Sequence, residues 1–217
     1  MKSTNYLQGL TEEIKEAARV LKAGGVVAFP TYTSYGLAVD ARNAKAVRRL
    51  YNLKGRTYKK PIHVLVPNQE AAKKIAKFNK IADDLAKIYW PGPLTLVLPL
   101  RARGASWKLL SAKTNTIGVR AADHSVIEML LQVCDFPITA TSANVSGKDN
   151  TYSVGQIKSQ FSKSKHKPDY YLDGGSLTRR MPSTMVHIDH KHVTLLREGP
   201  IKFHELLKTI HSNVPSK

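Results

Sequence analysis

A single cysteine, Cys134, among 217 residues leaves no partner for an internal disulfide and no set of thiolates for a metal. Its apolar surroundings, MLLQVCDF, assign it to the core as an inert side chain. Long apolar runs are missing too. Stretches such as Val26-Val27-Ala28-Phe29 stop far short of the roughly 18 residues that a membrane-spanning helix needs. No apolar segment follows the lysine of the opening MKSTNYLQGL, and Glu12-Glu13 argue against a transit peptide, so the expected compartment is the cytoplasm, with no membrane partner. The 13 glycines and 11 prolines show no period, which excludes a collagen-like or low-complexity chain. Acidic residues are scarce: 16 against 34 Lys and Arg, a net charge of +18. Such a charge draws polyanions from a distance and brings in nucleic acid, RNA included, or a phosphorylated ligand as partner. The scatter of the lysines along the chain equally suits a solvated basic surface.

The length can bury one sizeable core, and one domain over 1–217 is expected, with its core at about 12–205 and a short C-terminal tail. Thr11 reads as the cap of a helix with Ile14, Ala17, Ala18 and Leu21 on one face, ended by Gly24-Gly25. A strand VVAF follows. Asn43 opens a second helix bearing Val47, Leu50 and Tyr51, which ends near Lys54-Gly55, and Ile62–Val66 reads as a strand. Helices over 69–78 and 81–89 precede the breaker Trp90-Pro91-Gly92-Pro93. Strands LTLVL, TIGVR and PITAT then accompany a helix SVIEMLLQV. Later come a helix near 153–161, strands near 169–172, 184–188 and 193–197, and a helix from Ile201. The basic stretch SKSKHKPD at 162–169 reads as a surface loop, and there is no internal repeat. This interleaving predicts an α/β (α+β) fold, a twisted mixed sheet flanked by helices.

Four polar islands follow or interrupt apolar strands, where loops of α/β sheets converge on ligands. They are Pro30-Thr31-Tyr32-Thr33-Ser34-Tyr35-Gly36, Lys54-Gly55-Arg56, Thr141-Ser142-Ala143-Asn144-Val145-Ser146-Gly147, and Asp173-Gly174-Gly175 with Pro182-Ser183-Thr184. Each alone also reads as turn chemistry. Together they offer cations, hydroxyls and an amide, with no cluster of His, Cys or paired carboxylates. In an extended segment Lys54 and Arg56 project to the same side, so both meet one polyphosphate. Neither GxxxxGK[ST] nor GxGxxG occurs, so the expected phosphate site is of another kind.

These islands, in this order, resemble the YrdC/Sua5 family of L-threonylcarbamoyladenylate synthases. PTYTSYGL is similar to the family's PT(D/E)TxYGL, Lys54-Gly55-Arg56 to its KxR, and Ser142-Ala143-Asn144 to its SxN. WPGPLT, TIGVR, DGG, STMV and LLREGPI also look like family segments, and the chain resembles the short form with a single YrdC-like domain and an open cleft. The resemblance implies an enzyme, a nucleotidyltransferase. It would join L-threonine, bicarbonate or CO2 and ATP into threonylcarbamoyl-AMP and pyrophosphate, on the way to t6A at position 37 of tRNA. It implies Mg2+ arriving with ATP, no protein-bound metal site, and t6A-transfer proteins as partners. By the same resemblance Thr33, Arg120 and Ser183 hold threonine, with Arg120 on its carboxylate. Lys54, Arg56, Lys60, Thr116, Ser142, Asn144, Asn150 and Arg197 hold ATP, with Lys54 and Arg56 acting in catalysis. Thr116 and Ser183 also begin strands, where a hydroxyl can serve backbone alone. Three positions depart from the family: Tyr32 replaces an acid, Ser34 an apolar residue, and Leu65 a histidine found in some members, with His63 nearby. The competing readings are a YciO-like paralog acting on another adenylate, and a non-catalytic RNA-binding or ribosome-assembly protein of the same fold.

Overall fold

The computed structural model describes residues 2–121, 123–190 and 192–212. Helix α1 (Lys2–Lys22) leads to a hairpin of β1 (Val27–Pro30) and β2 (Tyr35–Ala38). Helix α2 (Ala44–Lys54), strand β3 (His63–Val66) and helices α3 (Gln69–Ile75) and α4 (Lys80–Tyr89) follow. Next come β4 (Leu94–Pro99), α5 (Ala105–Leu110), β5 (Thr116–Ala121), α6 (Ser125–Cys134) and β6 (Ile138–Ser142). The last elements are α7 (Val154–Gln160), β7 (Tyr170–Tyr171), β8 (Thr184–Asp189), β9 (His192–Arg197) and α8 (Phe203–Ser212). The strands form one nine-stranded sheet in the order β7-β1-β2-β6-β3-β5-β4-β8-β9. Pairs β1–β7, β3–β5 and β4–β8 are parallel and the others antiparallel, so the sheet is mixed, as the interleaved elements predict.

Period-two alternation divides the core between the two faces. Val26 and Ala28 pack with α2, α4 and α5 on one side, while Val27 and Phe29 pack with α1 and α6 on the other. Helix α1 turns Ile14, Ala17, Ala18 and Leu21 toward Ile127, Leu130, Leu131 and Cys134 of α6. Each fully buried Ile or Leu there contributes about 1.5–3 kcal/mol, enough for packing rather than helix propensity to hold these helices in place. Cys134 is buried, and loss of solvent pushes its thiol up to about 12, so it stays protonated in the core.

Three local expectations are corrected. Helix α1 starts at Lys2, so Thr11 lies inside it instead of capping it; a hydroxyl residue is tolerated within a helix as well as at its start. The PTYTSYGL island contains a strand: β2 pairs antiparallel with β1, Pro30 opposite Tyr35, and only residues 31–34 are turn. Helix α5 was not anticipated. It has six residues and no side-chain cap, so the sequence carries little of the usual signal. Asn43 does cap α2, accepting from the Lys45 and Ala46 N–H groups. The tail expected beyond about residue 205 is largely occupied by α8, and residues 213–217 lie outside the described residues. No described helix is long and apolar enough to cross a membrane.

Candidate active site

A cleft of about 530 Å³ opens on the sheet face that α1 and α6 cover elsewhere; Leu65, Ile127 and Ala140 belong both to that core layer and to the cleft lining. Four segments build it. The first is the 31–34 turn. Thr31 Oγ1 donates to the Ser34 carbonyl (2.7 Å) and accepts from the Thr33 N–H (3.2 Å), so the turn is fixed from within. Behind it Tyr35 is fully buried, and its hydroxyl accepts from the Gly174 N–H (2.9 Å) and donates to the Gly175 carbonyl (2.8 Å). This ties the first island to the DGG island.

The second segment corrects the geometry expected of Lys54 and Arg56. The Lys54-Gly55-Arg56 segment is a helix end, not an extended stretch: Lys54 is the last residue of α2, and Gly55 caps it in the left-handed region at φ 59°. The two cations therefore part. Lys54 is 1% exposed, and its ammonium donates to the Ser142 carbonyl, the Asn144 carbonyl (2.8 Å) and Asn144 Oδ1 (3.1 Å). Burial first, then the charge of Arg56, pulls its ammonium down to about 7. Arg56 instead lines the cleft, and donates to the Lys60 (3.2 Å) and Pro61 (2.9 Å) carbonyls.

The third segment is the turn after β6, where Ser142 Oγ donates to Asn144 Oδ1 (2.6 Å) and Asn144 Nδ2 to the Lys148 carbonyl. Asn144 is thereby spent on the loop's own shape and is buried. The fourth is the β8–β9 hairpin, whose pairing of Met185 with Arg197 brings Arg197 beside Ser183. Arg197 Nε donates to the Ser183 carbonyl (2.9 Å) and Nη2 to its hydroxyl (3.0 Å), which also pairs with Thr95 Oγ1 at 2.9 Å. Here Gly199 lets two chains touch: a Cβ on it would lie 2.2 Å from the Pro182 carbonyl oxygen and 2.5 Å from the Thr184 nitrogen. Gly199→Ala is therefore expected to displace Ser183 and cost about 1–3 kcal/mol, read as a lower denaturation midpoint. An unchanged midpoint would show that the hairpin yields freely.

Of the residues expected on the nucleotide, Arg56, Lys60, Ser142, Asn150 and Arg197 line the cleft; of those expected on threonine, Thr33, Arg120 and Ser183 do. Three do not reach its wall. Lys54 and Asn144 lie beneath it, and Thr116 pairs its hydroxyl with Thr114 at 2.9 Å. His124, which lies outside every recognised motif, also lines it, as do Thr141 and Met185, which lie within recognised segments without an expected role; only folding turns them inward. His63 and Leu65, two apart on β3, share the cleft-facing side.

Arg120 donates through Nε to the Gly92 carbonyl (2.8 Å) and through Nη2 toward Asp123 (3.5 Å). Burial pulls the Arg56, Arg120 and Arg197 guanidiniums down from their usual range, and they stay charged at neutral pH. The consequence appears at His63. Burial, and then the charges of Arg120, Arg197 and Arg56, pull its imidazole down to about 3, so it is neutral at physiological pH. None of the described residues lining the cleft is a carboxylate, and no group of three or more His, Cys, Asp or Glu among the described residues can hold a metal. The lining suits a divalent ion that arrives on phosphate oxygens, and offers it hydroxyls such as Thr33 and Ser142 rather than charged ligands.

The family model for Sua5/YciO/YrdC, described as telomere recombination, matches residues 19–199. The chain belongs to the Sua5/YciO/YrdC family. Within it, the chain is 34% identical to the threonylcarbamoyl-AMP synthase of Pyrococcus abyssi over 91% of its own length and 57% of that protein. It is 30% identical to that of Vibrio vulnificus over 88% of its length and the whole of that protein. Thus it spans little more than half of the first relative and all of the second. A crystal structure of P. abyssi Sua5 complexed with L-threonine matches with a TM-score of 0.84 at 33% identity, covering 92% of this chain and 58% of that one. The mixed sheet and its helices are those of the Sua5/YciO/YrdC fold.

Proposed function

We propose that the chain is an L-threonylcarbamoyladenylate synthase, joining L-threonine, bicarbonate or CO2 and ATP into threonylcarbamoyl-AMP and pyrophosphate for t6A at position 37 of tRNA. The observation that carries this reading is the convergence of Arg56, Lys60, Arg120 and Arg197 on one cleft without a lining carboxylate, with His63 held neutral among them. Such a cleft suits two anions at once, an amino-acid carboxylate and a polyphosphate. The relatives' names and the threonine bound to P. abyssi Sua5 point the same way.

In this reading Arg120 pairs with the threonine carboxylate, and Thr33 and Ser183 orient the amino acid. Ser183 keeps its hydroxyl aligned because Arg197 and Thr95 hold it. The threonine amine adds to CO2, forming an N–C bond and losing a proton. A carbamate oxygen then attacks the α-phosphorus, and the bond to the bridging oxygen breaks as pyrophosphate leaves. Arg56, Lys60 and Arg197 neutralise the phosphates, and Ser142 and Asn150 complete the nucleotide side; Lys54 and Asn144 act by holding the Ser142 loop. No side chain needs to act as a nucleophile, since alignment and charge neutralisation do the work. Mg2+ brought in on the nucleotide would supply further charge neutralisation. We further place the chain as one domain in the cytoplasm, with proteins that transfer the threonylcarbamoyl group and tRNA as its downstream partners.

The test is pyrophosphate release from ATP by the purified chain. Release is expected to require both threonine and bicarbonate; equal release with threonine omitted overturns the assignment.

A further inference from the structure

Tyr32 stands in the 31–34 turn and is 43% exposed, yet two neighbours hold its ring. Arg180 Cζ lies over its face, 5.2 Å from the ring centroid, within the range of a cation–π contact. The His124 ring meets it nearly at a right angle (89°), centroids 5.6 Å apart, the edge-to-face arrangement that aromatic pairs favour. The buried Nδ1 of His124 has no hydrogen-bond partner among the described residues. Tyr32 and His124, with Thr31, line both the cleft and an adjoining open hollow of about 360 Å³ that Asp123, Ser125, Thr178 and Arg180 help to form. The ring pair, beside Thr31, therefore stands as a partition between the two spaces.

Arg180 belongs to a strap over residues 174–182. Tyr35 pins its start through Gly174 and Gly175, the Leu177 N–H donates to the Tyr152 carbonyl (2.8 Å), and beyond its end the Thr184 N–H donates to the Pro93 carbonyl (2.9 Å). Between these pins Thr178, Arg179, Arg180 and Met181 are exposed, and the strap meets the cleft mouth through Arg180. The partition stands next to Thr33 and Arg120, at the end of the cleft assigned to threonine.

We propose that the Arg180–Tyr32–His124 stack is a latch that seals the amino-acid end of the cleft and retains the threonine carbamate until its oxygen attacks the α-phosphorus. The inference rests on the synthase reading. A carbamate is labile: when a proton reaches its nitrogen the N–C bond breaks, the electron pair stays on nitrogen, and CO2 departs. Keeping solvent of the adjoining hollow away from that nitrogen prevents the loss. Tyr32, Arg180 and His124 are thus positioning residues, because they hold the wall and not the reacting atoms.

The experiment measures initial rates of pyrophosphate release by the full chain against bicarbonate, at saturating ATP and threonine, and then against ATP. Arg180→Ala removes an exposed cation–π contact and is expected to raise the bicarbonate KM about two- to five-fold. Tyr32→Ala removes both ring contacts and is expected to raise it about ten-fold, with the ATP KM within about two-fold of the parent. Tyr32→Phe keeps both contacts and restores the parental value. Tyr32→Asp exchanges the cation–π contact for an ion pair with Arg180 while losing His124, and falls between. A bicarbonate KM unchanged in Tyr32→Ala overturns the latch alone, and equal rises in both KM values overturn it in favour of a general structural role. If the parent releases pyrophosphate without threonine, the synthase reading fails and the latch falls with it.

Discussion

Lys54→Met is expected to lower the free energy of unfolding by about 3–5 kcal/mol, whereas Arg56→Ala should leave the fold nearly intact and slow the proposed pyrophosphate release about ten- to hundred-fold. The difference follows from where the two cations end. The Lys54 ammonium is the donor for the Ser142 carbonyl, the Asn144 carbonyl and the Asn144 side chain, in a site closed to water. Methionine fills the volume and donates nothing. Asn144 Oδ1 keeps the Ser142 hydroxyl as donor, but the Ser142 and Asn144 carbonyls lose theirs; each such buried acceptor costs about 1–3 kcal/mol, and the Ser142 turn loses its anchor. Arg56 serves two carbonyls on the exposed 60–61 turn, which water can serve instead, and its guanidinium lines the cleft. Its loss should lower kcat/KM about ten- to hundred-fold, the worth of one charged hydrogen bond of about 1.5–3 kcal/mol. Urea denaturation at constant m-value and pyrophosphate release separate the two effects. A Lys54→Met protein of parental stability that lacks only activity would place Lys54 on the nucleotide itself.

The second large effect is on acid stability. His63 ordinarily titrates near 6.5 and is pulled down to about 3 by burial and by Arg120, Arg197 and Arg56. Above about pH 6.5 both the folded and the unfolded chain carry it neutral, so it has no influence on the balance. As pH falls from 6.5 toward 3 the unfolded chain binds a proton that the folded chain refuses, and stability drains away across that window. At about 1.36 kcal/mol per pKa unit, and with the ring half-buried at the cleft wall, the loss is about 2–4 kcal/mol. His63→Gln, polar and never charged, should flatten this acid limb while leaving stability at pH 7 to 8 near the parental value. Superimposable stability profiles from pH 7 to pH 3 would show that the folded cleft accepts the protonated ring.

The periodic elements were legible because their signals are local. Asn43 caps α2 through its own side chain, and the alternation of Val26 to Phe29 sorts neighbours onto opposite sheet faces whatever the rest of the chain does. Strand β2 was hidden because its four residues, YGLA, form the end of a motif read for its polar half, and their strand character comes from pairing with β1 and β6. Helix α1 extended past its apparent cap because the cap signal at Thr11 is permissive.

The residue types of the cleft, cations and hydroxyls without carboxylates, could be read from the chain, as could the family motifs that carry them. Which cation lines the cleft could not. Lys54 and Arg56 stand one residue apart, and a left-handed Gly55 at a helix end sends one into the protein and the other into the cleft. Likewise Ser183 and Arg197 are 14 residues apart and meet only because β8 and β9 close a hairpin. Composition and periodicity determine the elements and the chemistry on offer, since both depend on neighbours in the chain. The direction of each charge, and the neutrality of His63 among three guanidiniums, were decided by the tertiary structure, because burial and Coulomb forces depend on distance through space.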